Sequence, residues 1–190
     1  MLPMTMNTPK PLLQVGGHSL ISHQIQRLAE NGITDIVINH SWLGEQIEMA
    51  LGDGSEHSVD IAWSREEEPL ETAGGIIQAL PLLMGDAVSA SFISVNADIW
   101  TDYPYKKLPN LDDSNLLAWL VLVDNPPHHP EGDFVLNNDR VTEPEGSQQT
   151  LTFSGISVFH PALFDGVAPG KQSVVPLLKQ AMAQGRVGGE

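Results

Sequence analysis

The spacing of apolar residues changes along the chain, and each change marks an element. From Ser19 to Asn31, Leu20, Ile21, Ile25, Leu28 and Ala29 recur at helical spacing, with Gly32 placed to end the helix. Asp35 to Asn39 is a buried-type strand, and Asp60 to Ser64 alternates as a second. Between them Ser41 is placed to cap a helix that runs to Leu51 and closes at Gly52. A short helix is predicted from about Gly75 to Leu80, before Pro81. Phe92, Ile93 and Val95 form a short β-rich run of the length expected for a strand buried on both faces. Leu116 to Val123 is the longest apolar run, and Leu151 to Phe159 is a further strand interrupted at Gly155. Phe134–Leu136 and Arg140–Thr142 flank Asn137, Asn138 and Asp139 as a small hairpin. Val174 to Ala183 is a closing helix stopped by Gly185. Met1 to Pro11, with three prolines, and Asp124 to Asp133 read as loops, and Leu12 to Val15 is a short apolar run ended by Gly16 and Gly17.

Strands alternating with helices through the first two thirds of the chain predict βαβ units and a mainly parallel sheet, with the later hairpin as an antiparallel extension. The fold class is therefore α/β: a Rossmann-like, mostly parallel mixed sheet flanked by helices. At 190 residues the chain suits one domain, and 41% apolar residues is ordinary for a globular protein. The absence of cysteine excludes disulfides, thiolate metal sites and thiol nucleophiles. No stretch reaches the roughly 18 apolar residues of a membrane span, and MLPMTMNTPK lacks the features of a signal peptide, so the expected location is cytoplasmic. With 24 acids against 9 Lys and Arg, the net charge of −15 argues against a nucleic-acid partner. Polyphosphate ligands remain open if one lysine and a metal supply positive charge locally.

Candidate chemistry concentrates at the carboxyl end of the strand at Phe92–Val95. Asn96, Ala97 and Asp98 follow it, where open α/β sheets bind ligands, and Asp98 is either a carboxylate for a divalent cation or a solvated turn cap. Lys10 lies between Pro9 and Pro11 on a stiff segment, though read locally it is more often a surface charge. Thr72, Ala73, Gly74 and Gly75 form a bare-backbone turn just before a helix, suited to a flat base or a phosphate and equally to an ordinary turn. Glu66, Glu67 and Glu68 read as a solvated face. Gly155 marks either a close approach or a bulge. His128 and His129 are adjacent and poorly placed to share a metal, and the remaining histidines form no triad pattern. There is no G-x-G-x-x-G turn and no Walker A motif.

Taken together, TPKPL at 8–12, PLETAGG at 69–75, VNAD at 95–98, DNPPHHPEGDF at 124–134 and FSGISVFHP at 153–161 resemble the sugar-1-phosphate nucleotidyltransferase family. Within it they look closest to the uridylyltransferases of bacterial cell-wall recycling. The resemblance implies a reaction joining a sugar-1-phosphate, N-acetylmuramic acid 1-phosphate in that branch, to UTP with release of pyrophosphate. It implies Mg2+ as cofactor, with Asp98 as its ligand, although the branch has glycine where this chain has Ala97. It makes Lys10 the lysine on the reacting phosphates, sets Thr72, Gly74 and Gly75 along the nucleobase, and lines the sugar pocket with Asn96, Asn125, Asp133 and Gly155. The resemblance also implies that a first strand with a G-x-G-x-R-M loop, whose methionine would be Met1, and a final W-x-D-V-G-T segment are missing. The alternatives are another sugar-1-phosphate nucleotidyltransferase, for mannose or glucose, a metal-dependent glycosyltransferase, or an inactive fragment that binds nucleotide-sugars. Asp98-Ile99-Trp100 breaks the D-x-D that the glycosyltransferase would need.

Overall fold

The computed structural model describes residues 7–85 and 90–190, and the chain divides between two units. The methionine expected to follow a phosphate-gripping arginine, Met1, lies outside the described residues.

The first unit comprises residues 7–85, 97–107 and 169–172. Pro9 leads into a 3-10 turn at Lys10–Leu12, so the stiff proline segment is wound at its end rather than extended throughout. β1 (Gln14–Val15) and β2 (His18–Ser19) pair antiparallel across Gly16 and Gly17, whose positive φ the tight reversal requires. α1 (Leu20–Glu30) starts where its sequence predicts: the Ser19 hydroxyl accepts from the Ser22 amide at 3.2 Å, and Ile21, Ile25 and Leu28 are buried. β3 (Asp35–His40) pairs in parallel with β4 (Asp60–Arg65), from Asp35 opposite Asp60 to His40 opposite Arg65.

The connecting helix α2 (Gly44–Leu51) begins later than expected, with Leu43 in left-handed backbone at its N-cap instead of Ser41. The buried His40 ring explains the glycine at the first helical position, since its Nδ1 would lie 1.8 Å from any Cβ at residue 44. α3 spans Glu71–Met84, longer at both ends than the predicted Gly75–Leu80 and with Pro81 inside it. Its start is extended by contacts far away in sequence: the Ala73 and Gly74 amides both donate to the Gln172 carbonyl, at 3.0 and 3.1 Å. Ile21, Ile25, Ile38, Ile47, Leu51 and Val59 form the core, which Ala97 packs against.

The second unit comprises residues 90–96, 108–168 and 173–190. Its strands are β5 (Phe92–Val95), β6 (Ala118–Val123), β7 (Val135–Asn137), β8 (Arg140–Thr142), β9 (Thr152–Phe159) and β10 (Val187–Gly189), with α4 at Val175–Ala183. The sheet order is β5-β9-β6-β10-β8-β7. Only β10 and β6 run parallel in it, so the sheet is mixed. β5 is half-buried, which corrects the expectation of a strand buried on both faces, and among the described residues it pairs with β9 alone, at the sheet edge. The β7–β8 hairpin forms as predicted, with Asn138 at φ 55 in its turn. The register of β9 against β6 shifts between Val121 and Leu122, opposite Ser154 and Gly155, so Gly155 (φ 89) sits in a bulge. β10 has no periodic signal, yet it fills the place between β6 and β8 and is fully buried. Its glycines are explained by crowding: a Cβ on Gly188 would meet the Trp119 ring at 2.6 Å, and one on Gly189 the Leu120 carbonyl at 2.6 Å.

Candidate functional site

The chain returns to the first unit at Ala97, and two distant residues meet there: the Lys10 ammonium donates to the Asp98 carboxylate. Both remain partly exposed, with 46% and 29% of their side chains open to solvent, so the pair is reachable by a ligand. The backbone just after Asp98 is braced by α1. Gln24, 5% exposed on the helix's apolar face, donates to the Ile99 carbonyl at 2.7 Å and accepts from the Tyr105 hydroxyl at 2.8 Å. Burial pushes the Tyr105 phenol up to about 12. Arg27, one turn on, donates to the Tyr103 carbonyl at 3.2 Å. Sequence reasoning overlooked Gln24, although a polar residue among Ile21, Ile25 and Leu28 at core spacing is a readable signal.

Lys10 also lines an open pocket of 570 Å³ with Pro9, Pro11, Asn39, His40 and Trp42. Asn39 connects this pocket to the start of α3. Its amide donates to Glu66 Oε1 at 3.2 Å, and a Cβ on Gly75 would lie 2.6 Å from that same oxygen and 2.8 Å from the Asn39 nitrogen. Glu66 Oε2 accepts from the Leu70 amide at 3.0 Å. Glu66 is therefore a structural brace, and only the other two residues of the acidic run are exposed as expected. Thr72, Gly74 and Gly75 belong to the first turns of α3 rather than to a turn before it. Thr72 is exposed, whereas Gly74 and Gly75 are buried, and a Cβ on Gly74 would lie 2.2 Å from the Gly170 carbonyl. The two glycines thus have packing reasons within the chain itself.

Behind the pocket, Glu48 accepts from Arg65 Nε and Nη2, both at 2.6 Å, and pairs with His40 Nε2 at 2.6 Å. The Arg65 hydrogen bonds hold Glu48 well below the ordinary 4.5, at about 2.

The residues expected around a sugar lie in the second unit and are largely bound up internally. The Asn96 amide donates to the Gly155 carbonyl at 2.9 Å, and a Cβ on Gly155 would lie 2.9 Å from the Asn96 side chain. The structure thus joins Asn96 with Gly155. Asn125 donates to the Pro130 and Thr150 carbonyls and accepts from the Thr152 hydroxyl. Asp133 accepts from the Phe153 amide at 2.8 Å and pairs with His129 at 3.1 Å, which gives that histidine a partner other than a metal.

Among the described residues no group of three or more His, Asp or Glu could hold a metal by itself. Asp98 nevertheless fits Mg2+, a hard cation that proteins commonly bind through one or two carboxylates together with substrate phosphates.

Residues 1–165 match the family model described as nucleotidyl transferase. The chain belongs to the nucleotidyl transferase family. It is 47% identical along its whole length to the N-acetylmuramate alpha-1-phosphate uridylyltransferase of Neisseria meningitidis serogroup B, and spans 83% of that protein. It is 29% identical over 90% of its length to the mannose-1-phosphate guanyltransferase of Schizosaccharomyces pombe, and 37% identical over 65% to that of Candida albicans. It spans only 49% and 35% of those two longer family members. In fold, the chain superposes over its full length on 80% of a Bacillus anthracis protein crystallised with sucrose, with a TM-score of 0.79 at 20% identity. It also superposes over 97% of its length on the inositol-1-phosphate CTP transferase of T. maritima, at a TM-score of 0.72 and 18% identity. A mixed sheet flanked by helices, as in the nucleotide-diphospho-sugar transferases, is thus the fold of this family member. No described helix is long and apolar enough to cross a membrane.

Proposed function

We propose that the protein to which this chain belongs joins N-acetylmuramic acid 1-phosphate to UTP, giving a UDP-sugar and pyrophosphate, in the recycling of cell-wall sugars in the cytoplasm. The Lys10–Asp98 pair carries the reading: a cation and a hard carboxylate, 88 positions apart, meet at an accessible point, and the lysine also lines an open pocket. The 47% identity to the Neisseria enzyme supports the choice of sugar and nucleotide.

In this reading an oxygen of the sugar phosphate attacks the α-phosphorus of UTP in line. The bond from that phosphorus to the bridging oxygen breaks, and pyrophosphate leaves. A phosphate monoester, with a second pKa near 6, is already largely ionised at neutral pH and needs no general base. The chain supplies positioning and charge. Lys10 exchanges Asp98 for phosphate oxygens and offsets their growing charge. Asp98, next to backbone that Gln24 braces at Ile99, would hold Mg2+, whose charge neutralises the triphosphate. The resemblance assigns Thr72, Gly74 and Gly75 to the nucleotide and Asn96, Asn125, Asp133 and Gly155 to the sugar.

The guanyltransferase similarities favour a second reading, GTP with mannose 1-phosphate. Pyrophosphate release from each nucleotide paired with each sugar phosphate, with and without Mg2+, separates the two. The expected result is metal-dependent release with UTP and N-acetylmuramic acid 1-phosphate. Release only with GTP and mannose 1-phosphate selects the second reading, and no release from any pair overturns both.

A further inference from the structure

Trp42 lines the pocket around Lys10, and transfer chemistry gives it no task. Trp42 lies in the turn between β3 and α2, beside the left-handed Leu43, and is 73% exposed. A single exposed apolar side chain is ordinary on a protein surface. Trp42 differs in lining a concave space of 570 Å³ together with a lysine, an amide and an imidazole. A cation and a flat π-surface in one pocket suit a ligand that is anionic at one end and aromatic at the other. A sugar phosphate would satisfy the lysine and offer the indole only the C–H face of its ring, whereas a nucleotide offers the lysine its phosphates and the indole a flat π-system. Asn39, in the same lining, is anchored by Glu66, so the pocket's amide is fixed while the indole has open space to meet a base.

We infer that Trp42 is the surface on which the base of the nucleoside triphosphate stacks, with the phosphates directed to Lys10; this rests on the nucleotidyl-transfer reading above. Stacking accepts any base, so Trp42 contributes affinity for nucleotides in general and leaves the choice of base to other groups.

Calorimetric titration of the 190-residue chain tests the assignment. Trp42→Ala should weaken UTP binding about tenfold or more, while Trp42→Phe, which keeps a π-face, should retain most of the affinity. Inorganic triphosphate, which has no base, should bind the unsubstituted chain and Trp42→Ala equally. UTP should quench tryptophan emission in the unsubstituted chain and much less in Trp42→Phe, a readout that decides the matter even if the alanine variant does not fold. Unchanged UTP affinity in Trp42→Ala, or an equal loss for triphosphate, would overturn the stacking role while leaving nucleotide binding intact. Failure of the unsubstituted chain to bind UTP or GTP at all would overturn the nucleotidyl-transfer reading and this inference together.

Discussion

Lys10 and Asp98 in the first unit contrast with Asn96, Asn125, Asp133 and Gly155 in the second. In the first, side chains from remote segments pair with each other and stay open to solvent, while the braces beneath them, Gln24 and Glu66, carry the structural burden. In the second, most polar atoms of the candidate residues are spent on the chain's own backbone: Asn125 on Pro130 and Thr150, Asp133 on Phe153. Chemistry and scaffold are thus separated residue by residue in the first unit and merged in the second. Substitutions should therefore affect turnover without stability in the one and stability first in the other.

The largest expected effect tests the first half of that contrast. Lys10→Ala and Asp98→Asn should each lower kcat for pyrophosphate release by roughly 10²-fold or more. The melting temperature should scarcely move, since an exposed ion pair contributes only about 0–1 kcal/mol. Lys10→Arg should restore turnover only in part, because its planar fork replaces a compact charge between two prolines. A wild-type kcat in Lys10→Ala would remove the lysine from the mechanism.

Asp133→Ala tests the other half. It leaves the half-buried Phe153 amide without its acceptor; a fully buried donor would lose about 1–3 kcal/mol, so chemical denaturation should report a destabilisation near the lower end of that range. A variant of unchanged stability that had lost turnover would instead make Asp133 a residue like Lys10 and abolish the contrast.

Glu71→Gly is a smaller change in the first unit. Glu71 holds φ 61 at the first position of α3, a left-handed conformation costing a side chain about 1–2 kcal/mol. Glycine should raise stability by up to about 1 kcal/mol once its greater unfolded-state entropy is counted. A lower melting temperature would show that the Lys171–Glu71 ion pair outweighs the strain.

The subtlest effect is a pH dependence. Arg65 and His40 lower the Glu48 pKa from 4.5 to about 2 in the folded chain, so between those values the unfolded chain binds more protons. This contribution is present above pH 4.5 and is lost as pH falls toward 2. Glu48→Gln should flatten stability against pH within that window alone. An identical profile in both proteins would mean that the Glu48–Arg65 contact adds nothing.

Short-range signals determined several elements from the sequence alone. Ser19 capping α1, the Ile21–Ile25–Leu28 spacing, the β3 run and the Asn138 turn act within a few residues, and the chain carries them wherever it folds. Lys10 and Asp98, by contrast, became candidates only through the resemblance of their motifs to those of the nucleotidyltransferases, not through any local signal. What lay beyond reach depends on groups that meet only after folding. β10 is two-thirds glycine and lacks any strand signature, and it becomes a strand because β6 and β8 leave a gap that only Gly188 and Gly189 can enter against Trp119 and Leu120. α3 begins at Glu71 because the Gln172 carbonyl, a hundred residues away, accepts its first free amides. Glu66 reads as one of three solvated acids until Asn39 and the Leu70 amide reach its carboxylate. Periodicity and caps are local properties of the backbone, whereas close approach and the satisfaction of a buried donor belong to pairs of distant residues, and tertiary structure alone chooses those pairs.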